Sequence, residues 1–177
     1  MIQKLLYLYL LTGNPEGPVL VNDYYEIASQ HLKQEREWAS PPHIIVCNSS
    51  RITKSRLNTA LDFWKKLGYS FGNVYYANKQ DYQCAMGEPL FGQIMIDIPS
   101  NNFKFSDHVG NTKTWFSEED KRILKVKIEI LEGWNDSSRI LEHELGHALG
   151  WNDVNITGHI MNGVWSRSGN NVKGLQK

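Results

Sequence analysis

Cysteine is scarce in this chain of 177 residues: Cys47 and Cys84 are the only two, and they do not form a C-x-x-C pair. That excludes a disulfide-framework domain and leaves two readings open, one bond between them in an oxidising compartment or two buried thiols. Net charge is also lacking, because 19 Lys and Arg balance 19 Asp and Glu. A chain without a global positive field is not expected to bind nucleic acid. There is no internal repeat, no low-complexity tract and no EF-hand-like loop. No stretch approaches the roughly 20 apolar residues needed to span a bilayer, so no membrane span is expected. The apolar run Leu5 to Leu11 contains only Leu and Tyr and ends at Thr12-Gly13-Asn14-Pro15. That ending is a turn rather than a small-residue cleavage site, so the run is expected to be a strand near the start of the fold, not a signal peptide. Localisation is left open.

What the chain does have is aromatic mass, 6 Trp, 8 Tyr and 6 Phe. This suits a single compact domain with a sizeable core and argues against disorder. Ser40-Pro41-Pro42 makes a sharp break. Residues 1–42 therefore read as an N-terminal segment, either a pro-segment or an integral extension, with a helical stretch over Asp23–Trp38. Residues 43–177 read as the main domain. Within it, His43–Cys47 (HIIVC) is a short buried strand. Thr53–Leu67 is a helix whose Leu57, Ala60, Leu61, Trp64 and Leu67 share one apolar face, and Gly68 ends it. Asn73–Ala77 and Gly92–Ile98 are further strands, and Thr112–Phe116 (TKTWF) is a short exposed one. Lys125–Leu131 alternates, with Val126, Ile128 and Ile130 on one face, and reads as a strand or as the tail of a helix begun at Ser117. Ser137–Leu149 is the last helix, capped by Asp136 or Ser137. The expected fold class is α+β, an α/β-type sandwich: a twisted mixed sheet, a long backing helix and a second helix that carries the site.

Residues 143–153 read HELGHALGWND. Two His at i and i+4 are rotated by about 40° on a helix, so both imidazoles leave the same face and can reach one metal ion. Glu144 lies about 100° round from His143, where it sits beside a metal rather than on it. From there it can take a proton from water and return it to a leaving amine. Ile140, Leu141, Leu145, Ala148 and Leu149 anchor the helix, and Gly146 allows close packing. Gly150 permits a left-handed turn, after which the returning chain can bring Asp153 to the same ion. Two imidazoles and one carboxylate suit zinc with one exchangeable position, and cobalt or manganese as substitutes. Glu142 points elsewhere on the helix and is expected in solvent. His31, His43 and His108 are scattered and read as surface or core residues.

HELGHALGWND resembles the H-E-x-x-H-x-x-G-x-x-H/D signature of the metzincin metallopeptidases. With Asp in the last position it is nearest the snapalysin-like branch of small bacterial secreted proteases. The resemblance implies a zincin fold of the metzincin type with a small C-terminal part after a Met-turn. It implies Zn2+ held by His143, His147 and Asp153, Glu144 as the catalytic residue, and Met161, in Gly158-His159-Ile160-Met161-Asn162, as the Met of the turn beneath the metal. His159 competes as third ligand, but the spacing after Gly150 favours Asp153. The resemblance is specific over 143–161 and weaker over 43–162. It further implies that an exposed edge strand pairs with extended substrate, which makes TKTWF, with Thr112 and Thr114, the expected cleft wall. Two departures stand out. Only 16 residues follow Met161, too few for a full C-terminal helix, so Val164 and Trp165 are expected to complete the specificity pocket. Asn162 stands where some relatives carry a Tyr after the Met.

The leading functional expectation is a zinc-dependent endopeptidase that hydrolyses protein or peptide substrates by Glu-assisted attack of a zinc-bound water, acting as a monomer. One alternative is an intracellular regulatory metalloprotease of the repressor-cleaving type. Another is a non-catalytic, metal-stabilised structural or virion module, which an intact Glu144 disfavours. If residues 1–42 are a pro-segment, Asp23 and Cys47 are the candidates to block the metal.

Overall fold

A computed structural model describes residues 32–99 and 108–177. The expected strand at Leu5–Leu11, His31 and Asp23 lie outside the described residues. Along the described chain run β1 (Glu37–Trp38), β2 (His43–Cys47), α1 (Lys54–Lys65), β3 (Val74–Ala77), α2 (Tyr82–Met86), β4 (Gln93–Asp97), β5 (Gly110–Phe116), β6 (Arg122–Ile130) and α3 (Ile140–Ala148), with single 3-10 turns at Asn48–Ser50 and Trp165–Arg167. The strands form one mixed sheet. β3, β2, β4 and β6 are parallel neighbours in that order, β5 runs antiparallel to β6, and β1 adds a two-residue parallel pairing at the start of β6. With α1 and α3 packed against it, this is an α+β fold. Among the described residues no helix is long and apolar enough to cross a membrane.

Strand alternation sets the two faces. Ile44 and Val46 of β2, Ile94 and Ile96 of β4, and Val126, Ile128 and Ile130 of β6 are buried and form the main core with both helices. The opposite face carries a smaller cluster, Ile45, Met95, Cys47 and Cys84. There Cys47 and Cys84 are joined by a disulfide that closes 37 residues of sequence, which decides between the two readings of the cysteines and removes Cys47 as a metal-blocking residue. Ile123 is also in the main core although its number has the wrong parity for the alternation of Val126, Ile128 and Ile130. A bulge accounts for this. Trp115 pairs with Lys125 but Phe116 pairs with Ile123, so Leu124 is an extra residue on β6 and the facing resets. The segment is thus a strand throughout and not the tail of a helix.

Helix α1 begins one residue inside the expected span because Thr53 is its N-cap, accepting from the Arg56 N–H at 3.1 Å. Trp64 is fully buried on its inner face, and its Nε1 donates to the Glu142 carbonyl at 2.8 Å, which fixes α1 against α3. The last helix differs from expectation in two ways. It starts at Ile140, after Arg139 in the left-handed region at φ 72°, with no side-chain cap from Asp136 or Ser137. Glu142 is buried, not in solvent. The Arg56 guanidinium grips it in a two-pronged ion pair (2.7 and 2.5 Å) and also donates to the Ser137 carbonyl.

Residues 32–36 are not helical and Glu37–Trp38 is strand, so the expected helix does not reach Trp38. The segment 32–42 packs on the end of α3: Gln34 Nε2 donates to Leu149 O at 2.7 Å, Trp38 Nε1 to Ala148 O at 2.8 Å, and Glu35 N–H to Gly150 O at 3.0 Å. After Met161 the chain forms no α-helix. It runs as turns, inserts Leu175 into the core, and ties Lys177 N–H to Leu67 O.

Because the Arg56–Glu142 pair is almost wholly desolvated, removing one partner strands a buried charge. Arg56→Ala is expected to lower unfolding free energy by about 3–5 kcal/mol, whereas Arg56→Met combined with Glu142→Leu recovers most of that loss. Urea denaturation of the two variants beside the wild type measures both effects.

Candidate metal centre

The pitch of α3 puts the imidazoles of His143 and His147 together, with Nε2 atoms 3.0 Å apart. The helix then ends at Gly150, φ 95°, where any side chain would overlap the Arg36 carbonyl. Glycine is required there both by its backbone angle and by that contact. The chain turns back and carries Asp153 to the pair, its Oδ1 lying 3.3 Å from His143 Nε2 and 3.4 Å from His147 Nε2. These three side chains form a cluster able to hold a metal ion. Four-coordinate zinc with bonds of 2.0–2.1 Å has ligand–ligand separations of roughly 3.3 Å, so the observed spacing fits such an ion without rearrangement.

The far nitrogen of each ring is engaged. His143 Nδ1 faces Ile160 O at 2.9 Å and His147 Nδ1 faces Trp151 O at 2.8 Å. A carbonyl can only accept, so each Nδ1 carries the proton and each Nε2 keeps its lone pair for the cluster. His159, the rival ligand, is buried and turned away: its Nδ1 accepts from Met161 N–H at 3.1 Å and its Nε2 faces Lys173 O at 3.2 Å. Met161 is fully buried below α3. A methyl group on Gly146 would overlap its sulfur and press on Trp64 as well.

Glu144 stands outside the cluster, buried, with Oε2 accepting from the Thr112 hydroxyl at 2.6 Å. β5 supplies that hydroxyl, and its neighbour Gly110 leaves the room, since a Cβ there would come within 2.5 Å of Glu144 Oε1. Among the described residues β5 pairs only with β6, so its other edge is free beside the site. Two adjoining cavities share His143, Glu144 and His108. One is lined by Thr112, Thr114, His147 and Asp153, the other by Arg139 and Trp165. Of the expected cleft residues, Thr112, Thr114 and Trp165 therefore line it. Val164 is exposed and lines neither cavity. His108 and Arg139 border the site without having been singled out in the sequence. Both are remote from the motif in spacing or outside its pattern, and only the turn of β5 and the start of α3 bring them in.

Compared with known protein families, with curated proteins and with solved structures, the chain matches none. The chemistry of the site therefore stands on its own geometry. Burial pulls the His147 pKa down, but the Asp153 carboxylate, the nearby Glu144 and the Trp151 carbonyl outweigh it and the net change is a rise. For Asp153, partial burial acts upward, and the hydrogen bonds and charge of the two imidazoles overcome it and hold the carboxyl far below the usual carboxylate range. In the metal-free protein the His147–Asp153 pairing thus stabilises the fold below the ordinary imidazole pKa of about 6.5, and that contribution is lost as pH rises through the higher folded value.

Metal binding carries the opposite sign, because the ion needs a neutral imidazole. Titration of the metal-free protein with Co2+, followed by visible absorption, is expected to give one site per chain whose affinity falls as pH drops, with protons released on binding. Asp153→Ala weakens that binding, while His159→Gln leaves the absorption spectrum unchanged. Gly146→Ala, which overpacks the space against Met161, is expected to destabilise the protein by about 1–3 kcal/mol in thermal or urea unfolding.

Proposed function

We propose that the chain is a zinc-dependent endopeptidase of the metzincin type. The observation that carries this reading is the convergence of two imidazole Nε2 atoms and one carboxylate oxygen within 3.0–3.4 Å, with a second, separately held carboxylate beside them. A structural metal site has no need of that second group. A peptidase site does, for proton transfer. The donor set of two nitrogens and one oxygen suits zinc. When bound, zinc would polarise a scissile carbonyl and make water acidic enough to attack at neutral pH.

The chain's own residues supply the rest. Glu144 takes the proton of the attacking water and gives it to the departing amine. Thr112 holds one oxygen of that carboxylate, the other lies against Gly110, and the missing side chain there keeps β5 close without displacing it. The edge of β5 that pairs with no other strand among the described residues offers backbone N–H and C=O groups to an extended peptide, which would add as a further strand. Trp165 forms an aromatic wall on the other side of Glu144. Asn162 ties the turn after Met161: its amide donates to the Ile156 carbonyl and its side-chain oxygen accepts from Val164 N–H. The Cys47–Cys84 disulfide suits an oxidising compartment and so favours an exported peptidase over the intracellular regulatory alternative.

Casein or a quenched fluorescent peptide, incubated with the zinc-loaded protein, is expected to be cleaved, and a chelator to stop cleavage. Glu144→Gln is expected to lower kcat by about 10²–10⁴ while one zinc per chain is retained. Gly110→Ala, which pushes Glu144 off its position, lowers kcat with zinc content unchanged. Cleavage by Glu144→Gln at the wild-type rate would remove the proposed mechanism.

A further inference from the structure

We infer that Arg139 makes the cavity beside Glu144 a receptor for a carboxylate, so that the preferred bond is the one on the N-terminal side of a residue bearing a negative charge. This rests on the peptidase reading above and names its substrate class.

The cavity is lined by His143 and Glu144 together with Arg139, Trp165 and Ser168, and it includes neither His147 nor Asp153. The departing amine has to lie within reach of Glu144. A peptide that adds antiparallel to β5 runs from Thr114 towards Gly110, so the residue carrying this amine lies at the Gly110 end and its side chain enters the cavity. Arg139 is half-buried at its wall. One nitrogen of its guanidinium donates to the Ser168 carbonyl, and the guanidinium carbon sits 5.4 Å from the Trp165 ring centroid. Trp165 is itself braced edge-on against Trp134, with centroids 5.5 Å apart. The guanidinium is thus fixed in place from two sides. Five N–H donors belong to an arginine, so fixing it this way leaves donors for a ligand.

Among the described residues no carboxylate forms an ion pair with Arg139. The contrast with Arg56, whose fork is filled by Glu142, is direct. Among the described residues the one acidic group lining the cavity is Glu144, one of whose oxygens accepts from Thr112. His108 adds a second nitrogen base to the lining. A fixed, partly desolvated guanidinium facing a cavity is matched by a planar carboxylate through two parallel charge-assisted hydrogen bonds. That carboxylate has two sources in a peptide: the side chain of Glu or Asp after the cleaved bond, or the C-terminal carboxylate of a residue that ends there.

The test uses the zinc-loaded full chain and amidated fluorescent peptides that differ only after the cleaved bond, as Glu, Gln or Leu. Companion peptides end at that residue as free acid or as amide. A side-chain receptor gives kcat/KM for Glu about tenfold or more above Gln; a terminal receptor gives the same ratio for free acid over amide. In Arg139→Gln the favoured ratio collapses towards one, and Arg139→Lys retains part of it. Equal cleavage of Glu and Gln together with equal cleavage of acid and amide by the wild type overturns the inference, as does a ratio that Arg139→Gln leaves unchanged. If no peptide is cut, the peptidase reading fails separately. The cavity is then decided by titrating the dipeptides Glu-Gly-NH2 and Gln-Gly-NH2, and glutamine against glutamine amide, while following the Trp165 indole N–H by NMR. A saturating shift for the carboxylate-bearing member of either pair alone upholds the receptor, and no difference within either pair refutes it.

Discussion

The site depends on two hydrogen bonds that leave it. Each imidazole of α3 gives its Nδ1 proton to a backbone carbonyl of the returning chain, His143 to Ile160 and His147 to Trp151. These bonds choose the tautomer, turn the rings, and leave both Nε2 lone pairs facing each other across 3.0 Å. The same return segment delivers Asp153. Helix, turn and return are therefore one device, and Gly150 is its hinge because no other residue tolerates both the backbone angle and the contact with Arg36. Without a cation, two basic nitrogens at that separation are uncomfortable. The Asp153 carboxylate beside them raises the pKa of His147 against the effect of burial, and the two imidazoles in turn hold Asp153 well below the usual carboxylate range.

The remainder of the fold keeps that device in place. α1 fixes α3 from behind through Trp64 and the Arg56–Glu142 pair, and the sheet fixes it from the front through Thr112 and Gly110 of β5. The segment 32–42 closes the end of the helix by satisfying the carbonyls of Ala148, Leu149 and Gly150. Those carbonyls would otherwise be open at a helix terminus. His143, His147 and Glu144 thus stand on α3, Asp153 comes from the return segment, and Glu144 is held by a hydrogen bond from a strand rather than by the helix that bears it.

Much of this was legible in the sequence where the information is local. The i, i+4 histidines, the Gly that ends α3, the apolar face of α1 and the alternation in β6 all follow from periods of 3.6 and 2 residues. The α+β class follows from the order of those elements. What was not legible depends on pairs distant in sequence. Glu142 looked like a solvent residue because nothing near it reveals Arg56, 86 positions earlier. Asp136 and Ser137 are good caps in isolation, yet Arg139 takes the left-handed position at the helix entrance and α3 starts only after it. Leu124 was invisible as a bulge because only the register with β5 defines it. Arg139 and His108 carry no motif, and their relevance exists only in three dimensions.

The central claim is that His143, His147 and Asp153 bind one ion through two imidazole nitrogens and a carboxylate oxygen. X-ray absorption at the zinc edge of the stoichiometrically loaded protein tests it most directly. The expected spectrum shows imidazole scattering from two histidines, light-atom ligands only at about 2.0–2.1 Å, and loss of one imidazole contribution in His147→Ala. A first shell containing sulfur, or one without imidazole scattering, would contradict it.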